Sequence, residues 1–266
     1  QRVMEDTVVT TPSVDFGLAV FSYNNGSSDD GGRIISGVKR LNTIEKKSLI
    51  KTIGNLNAET WTPLCETLYE AYRYFGGAAP HFALEAGSAS PARDQSIEKN
   101  GKYISPFVGS QCTDRAYVVY ITDGAPSRDS AADTAVSKLA GYDKDNKVNG
   151  SYLPALASIM NNKDVNTSVD GDQFVTTFTI GFSDGAASAE PILKKAAELG
   201  GGKYFAASNA SALQTALSQV FSQILETNAS FTSPSIASNN FDRTQTFDSA
   251  YYTMFLPNKG ARWMGN

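Results

Sequence analysis

The sequence predicts a doubly wound α/β domain: a mostly parallel sheet with one antiparallel edge hairpin, followed by a short β appendage. Three observations carry that prediction. The run Ala116–Ile121 is almost wholly apolar and rich in β-branched and aromatic residues, as in a strand buried on both faces of a parallel sheet. A second such run, Phe174–Gly181, also stops at a polar turn, Ser183-Asp184-Gly185. Helical patterns alternate with these strands as far as Glu226. The first strand ends at Thr122-Asp123-Gly124. Ligands of open α/β sheets bind beyond the carboxyl ends of the strands, so Asp123 is a site candidate. The alternative is an Asp that starts a turn or caps a helix.

The elements follow in order. Gln1–Val9 reads as the last turns of a helix, ended at Thr10-Thr11-Pro12 because proline cannot continue it. Asp15–Tyr23 and Arg33–Val38 read as strands joined by the Gly-rich Asn24–Gly32, the expected edge hairpin. Thr43–Leu56 is amphipathic, with Ile44, Leu49, Ile50 and Ile53 expected inward. Pro63 suits the first turn of a helix running to about Phe75. Residues 76–114 lack periodicity and read as a long insertion. Ser130–Gly141, Leu153–Asn161, Pro191–Leu199 and Asn209–Glu226 are expected helices, the third ending on Gly200-Gly201-Gly202 in a left-handed cap. Lys203–Phe205 is a short strand. The α/β domain thus spans 1–226. The 227–266 tail has strand-like Ala229–Ser238 and Ala250–Leu256, and leads toward a following domain.

Composition narrows the chemistry. In 266 residues with 41% hydrophobic content there is material for one large core. A net charge of −4 leaves no basic field for nucleic acid or anionic membrane. No run of about 18 apolar residues predicts a membrane span. One histidine, His81, and two cysteines make a zinc site or a histidine-based triad hard to assemble. Asp143-x-Asp145-x-Lys147 begins like a calcium loop but has Val148 where the turn glycine belongs. Gly200–Lys203 lacks both the first glycine and the Ser/Thr of a phosphate loop.

Three loops are expected at the carboxyl edge of the sheet: Asn57–Thr62, Thr122–Asp129 and Phe182–Ala187. They offer hydroxyl and carboxylate oxygens, which suit a hard divalent cation such as Mg²⁺, Mn²⁺ or Ca²⁺.

With Trp61-Thr62-Pro63-Leu64 opening a helix, Tyr120-Ile121-Thr122-Asp123-Gly124 after a buried strand, Phe178-Thr179-Ile180-Gly181 and Ala196–Phe205, the chain resembles a von Willebrand factor type A (VWA) domain over residues 1–226. The insertion, Cys112 before the strand, Ile121–Ser127 and the tail motifs Ala229–Pro234, Phe241–Thr244, Tyr251–Pro257 and Arg262–Asn266 resemble the N-terminal VWA region of the PilC/PilY family, secreted adhesins at the tips of type IV pili. That resemblance implies an extracellular module at the bacterial surface, exported through the periplasm. It acts in pilus assembly, attachment and surface sensing, and by binding rather than catalysis. Its expected partners are minor pilins or other tip proteins, and host or abiotic surface ligands carrying an acidic group.

The family's metal-ion-dependent adhesion site uses an Asp-x-Ser-x-Ser loop, a Thr and an Asp. Thr62 matches the Thr and Asp123 the Asp, whereas the Asp-x-Ser-x-Ser loop is absent from this chain. The strand bearing it would be central in that fold, and leaving it out would strand backbone groups in the core. Residues upstream of Gln1 are therefore expected in the native protein. The secreted setting also favours a Cys65–Cys112 disulfide over two buried thiols; it would staple the insertion to the core, worth roughly 4 kcal/mol on chain entropy. A second implied role is structural: a force-bearing or mechanosensing scaffold without metal.

Overall fold

A computed structural model describes residues 1–10, 14–22, 31–56, 61–85, 90–107, 115–227, 231–238 and 246–255. The chain divides into two compact units, Gln1–Ser218 and Gln219–Asn266. The first is mixed α/β and carries the candidate site.

Its centre is a three-stranded parallel sheet of β5 (Arg115–Thr122), β6 (Phe174–Phe182) and β7 (Gly201–Ala207), in the order β5-β6-β7. Strand β6 is central, and residues 175–181 are all buried. Two of its buried threonines are bonded: Thr179 donates its hydroxyl to the Leu193 carbonyl at 2.8 Å, and Thr176 Oγ1 accepts from Arg115 Nη1 at 2.9 Å. Parallel strands require crossovers. Helices α5 (Asp133–Val136) and α6 (Leu153–Asn162) lie in the first, and α7 (Glu190–Leu199) in the second. Leu153, Leu156, Met160, Val175 and Leu193 are fully buried where α6, α7 and β6 meet. Gly201, just past the end of α7, takes the left-handed conformation at φ 74°, as a glycine there is suited to do.

Helix α3 (Leu64–Phe75) packs against α6 and buries every residue from Leu64 to Glu70. It also carries the hairpin β1 (Phe16–Phe21)–β2 (Gly32–Lys39), with which it is in contact. Here the structure departs from the expected edge hairpin. β1 and β2 form a two-stranded sheet of their own that shares no ladder with the parallel sheet among the described residues. Packing of the hairpin on α3, and of Phe21 in β1 against Tyr120 in β5 at 6.2 Å between ring centroids, takes the place of backbone pairing. A smaller cluster joins α1 (Arg2–Thr10) and α2 (Thr43–Gly54) through Val8, Leu41, Leu49 and Ile53, with Phe16 and Leu18 against it.

Three further expectations are corrected. Ile44 is 80% exposed rather than inward. Asn42 caps α2 in a reciprocal capping box with Glu45, while Leu49 and Ile53 face inward; nine residues before Ile53, Ile44 falls half a turn away, on the outer side. Helix is confined to Asp133–Val136 within the expected 130–141 span, and turns flank it. Ser137 turns its hydroxyl back to the Thr134 carbonyl, a local bond that competes with helix. The 76–114 insertion holds local structure: α4 (Phe82–Glu85) and a minimal hairpin, β3 (Glu98–Lys99) with β4 (Lys102–Tyr103).

Helix α8 (Ala210–Thr227) crosses the boundary between the units. The second unit contains an antiparallel pair, β8 (Phe231–Ser238) and β9 (Thr246–Phe255), with Phe231 opposite Phe255. No helix among the described residues is long and apolar enough to cross a membrane.

Candidate functional site

The site lies where β5 and β6 end. At the end of β5 the Thr122 hydroxyl accepts the Gly124 N–H at 3.3 Å, a tight turn that leaves Asp123 exposed beyond the strand. The next residues return to the segment before α3. Thr62 donates its N–H to Ser127 Oγ at 2.8 Å, and Ser127 donates its own N–H to the Thr62 carbonyl at 3.1 Å. This reciprocal pair fixes the two loops side by side. A Cβ placed on Gly124 would lie 3.6 Å from Thr62 Oγ1, so the Thr62 hydroxyl stands beside the residue that follows Asp123. The loop after β6 closes from the other side, and a Cβ on Gly185 would sit 2.3 Å from the Asp123 carbonyl oxygen. Only glycine allows that approach. Thr62 and Asp123 are thus brought onto one rim, and the loop after β6 meets them there. Of the first expected loop, residues 57–60 lie outside the described residues.

Two residues on this rim hold left-handed backbone without being glycine: Arg128 at φ 55° and Ser183 at φ 63°. Such conformations concentrate at functional sites. The Arg128 guanidinium lies over the Trp61 ring, 5.3 Å from its centroid, and Trp61 is 42% exposed.

Below the rim is a buried acidic group that sequence reading missed. Pro63, at the N-cap of α3, has no side chain able to cap. Asp129 caps in its place from the loop after β5: one carboxylate oxygen accepts the Cys65 N–H, and the other accepts Ser151 Oγ at 2.8 Å. Beside it Glu66, fully buried, accepts the Ala132 N–H at 3.2 Å through Oε1. Burial, then the charge of Asp129, pushes the Glu66 carboxyl up to about 8. Burial also raises Asp129, against the bonds from Cys65 and Ser151. Asp133 is pushed up to about 6 by burial and by Asp129. Cys65 is a free, fully buried thiol, raised by burial and then by these carboxylates, and so is held as the inert thiol form. Cys112, its expected disulfide partner, lies outside the described residues.

A second missed carboxylate, Glu70, holds the insertion. It accepts Tyr103 Oη together with the N–H groups of His81 and Phe82, the last at 2.8 Å. His81 itself is a surface residue edge-on to Phe82. The sequence carried no signal for either acid: at 3.6 residues per turn Glu66 and Glu70 fall together on the side of the helix opposite Leu64 and Leu68, as the polar face of an amphipathic helix would.

The rim's donors suit a hard cation in kind: the Asp123 carboxylate and the hydroxyls of Thr62 and Ser127. They fall short in charge. Among the described residues no group of three His, Cys, Asp or Glu is arranged to hold a metal. Asp143 and Asp145 stand apart from the rim in a helical turn, where Asp143 caps the Asp145 N–H. No protein-family model, curated protein or solved structure matches the chain.

Proposed function

We propose that this chain is an adhesion and assembly module acting by binding, built as the VWA region of a PilC/PilY-type pilus-tip adhesin. The observation that carries the reading is the reciprocal Thr62–Ser127 bonding, which sets Thr62 beside the Asp123–Gly124 turn at the carboxyl edge of a parallel sheet. The sequence resemblance assigns adhesion to those two positions. The module would work outside the cell, with minor pilins or other tip proteins, or a surface ligand bearing an acidic group, as its partners.

In the full form of this reading Asp123 and Thr62 hold Mg²⁺, Mn²⁺ or Ca²⁺, and the ion offers an open position to a carboxylate of the partner. Asp123 contributes charge, while neutral Thr62 leaves the ion electrophilic. The residues on the rim fit such an ion in donor type and not in number, so they would hold it only with further oxygens. Titration calorimetry with Mn²⁺ and Mg²⁺ on the native-length protein, beside its Asp123→Ala variant, tests this directly. Binding that disappears in the variant supports metal-dependent adhesion. Equal binding in both, or none in either, removes it.

That no group of three acids is arranged for a metal among the described residues favours a second reading, a metal-free structural or mechanosensing scaffold at the pilus tip. Under it Asp123→Ala leaves surface attachment unchanged.

A further inference from the structure

We propose that Arg128 and Trp61 form a metal-independent receptor for an acidic saccharide, a hydroxyl-rich ring bearing one carboxylate. This receptor deepens the adhesion reading and rests on it in one respect, the acidic group on the partner. Here a guanidinium meets that group, in place of a bound cation.

The backbone assembles the pair. Thr62 donates its N–H to Ser127 Oγ, and Ser127 donates its N–H to the Thr62 carbonyl. The residues beside them, Trp61 and Arg128, are thereby brought together from distant parts of the chain. The Arg128 guanidinium lies over the Trp61 ring, 5.3 Å from its centroid. Both side chains are at the surface: Trp61 is 42% exposed, and Arg128 is exposed as well.

Arg128 keeps this place at φ 55°, a left-handed conformation that glycine adopts without cost and arginine does not. Its neighbours impose it. Ser127 is tied to Thr62, and Asp129 accepts the Cys65 N–H. The strained position is the one that carries the cation outward over the indole, and strain of this kind gathers at binding sites.

The chemistry of the pair selects the ligand. Stacking on an indole uses the face of a guanidinium, while its N–H fork lies in the plane, where a carboxylate accepts it with both oxygens. The exposed indole adds apolar surface for the C–H groups of a sugar ring. Asp123 is exposed on the same rim, reached through Gly124 beside the Thr62 hydroxyl. Its carboxylate offers acceptors to hydroxyl groups and repels a second anion. The chain's net charge of −4 also works against a polyanion. One carboxylate among several hydroxyls satisfies all three side chains, whereas an acidic peptide leaves Asp123 facing carbonyls and further charge.

The test uses the whole chain with Trp263→Phe, which leaves Trp61 as its one tryptophan. EDTA is present throughout, so no bound cation takes part. Trisaccharides ending in glucuronic, galacturonic or sialic acid are titrated while Trp61 emission is followed. At least one should shift the emission saturably, and its methyl ester should bind at least about tenfold more weakly, having lost the charged hydrogen bonds. Arg128→Gly should lose a similar factor while keeping the parent's melting temperature to within about 3 °C, because glycine relaxes the strained backbone. If that variant does not fold, the comparison of acid with ester on the parent decides. No shift with any trisaccharide, equal binding of acid and ester, or full affinity in a folded Arg128→Gly would each overturn the receptor. A peptide with a single glutamate that binds as tightly would overturn the saccharide as its ligand. Surface attachment that persists without saccharide binding overturns the receptor and leaves the adhesion reading standing.

Discussion

Two residues set how the rim and the insertion are held. Glu70 is almost fully buried and gathers donors from Tyr103, His81 and Phe82. Truncating it leaves those donors unpaired inside the protein. Glu70→Ala should therefore cost about 3 kcal/mol or more in denaturant unfolding, with Glu70→Gln costing less because it keeps an acceptor. Gly185 presses on the Asp123 backbone. Gly185→Ala should shift the Asp123 turn and cost about 1–3 kcal/mol by overpacking. It should also weaken partner binding in a surface-attachment assay, and unchanged attachment would separate Asp123 placement from function. Residue type alone could not reveal Glu66 or Glu70. Their partners arrive from the loop after β5 and from the insertion, far along the chain.

Among the elements, α2 and α3 are held in opposite ways. Asn42 and Glu45 close a capping box within α2, so Asn42→Ala should lower stability by about 1 kcal/mol in thermal or urea unfolding. Ile44, read as a core residue from its spacing, projects into solvent, and Ile44→Ser should change stability by less than about 0.5 kcal/mol. Nine residues from Ile53, Ile44 falls half a turn away from the buried face. In α3 the stability lies in packing: Leu68 is fully buried, and Leu68→Ala should cost about 2–5 kcal/mol. Strands β5 and β6 were legible because each carries its own apolar run and ends at a turn; of β7, which has no such run, only Lys203–Phe205 was. The expected 130–141 helix is shorter because Ser137 competes with the helical backbone by bonding the Thr134 carbonyl, which an apolar count does not register. The separation of β1–β2 from the parallel sheet was not legible either, since pairing between distant strands leaves no mark on either strand's own pattern.

At the scale of the molecule, buried acids govern the response to pH. Glu66, at about 8, and Asp133, at about 6, hold protons in the folded state that the unfolded chain releases near the ordinary carboxyl range. The folded state therefore binds more protons between those limits. This contribution is fully present below about pH 4 and is lost as pH rises through 6 and then 8. The melting temperature should fall from pH 5 to 8.5, and Glu66→Gln should flatten the upper part of that fall. An unchanged slope would show that Glu66 ionises normally. The location of the site at the carboxyl edge was readable from the strand ends; the acidic layer under it was not, because the layer is made by tertiary contact. The capping of α3 by Asp129 also bears on the order of events at the ribosome. The carboxylate that completes the helix is made 64 residues after the amide it binds. At 5–20 residues per second that is a delay of roughly 3–13 s. During it the nascent helix has a frayed start and Thr62 has no Ser127 to hold it. A chain arrested before Asp129 would therefore present no assembled rim, which can form only after β5 and its loop have emerged.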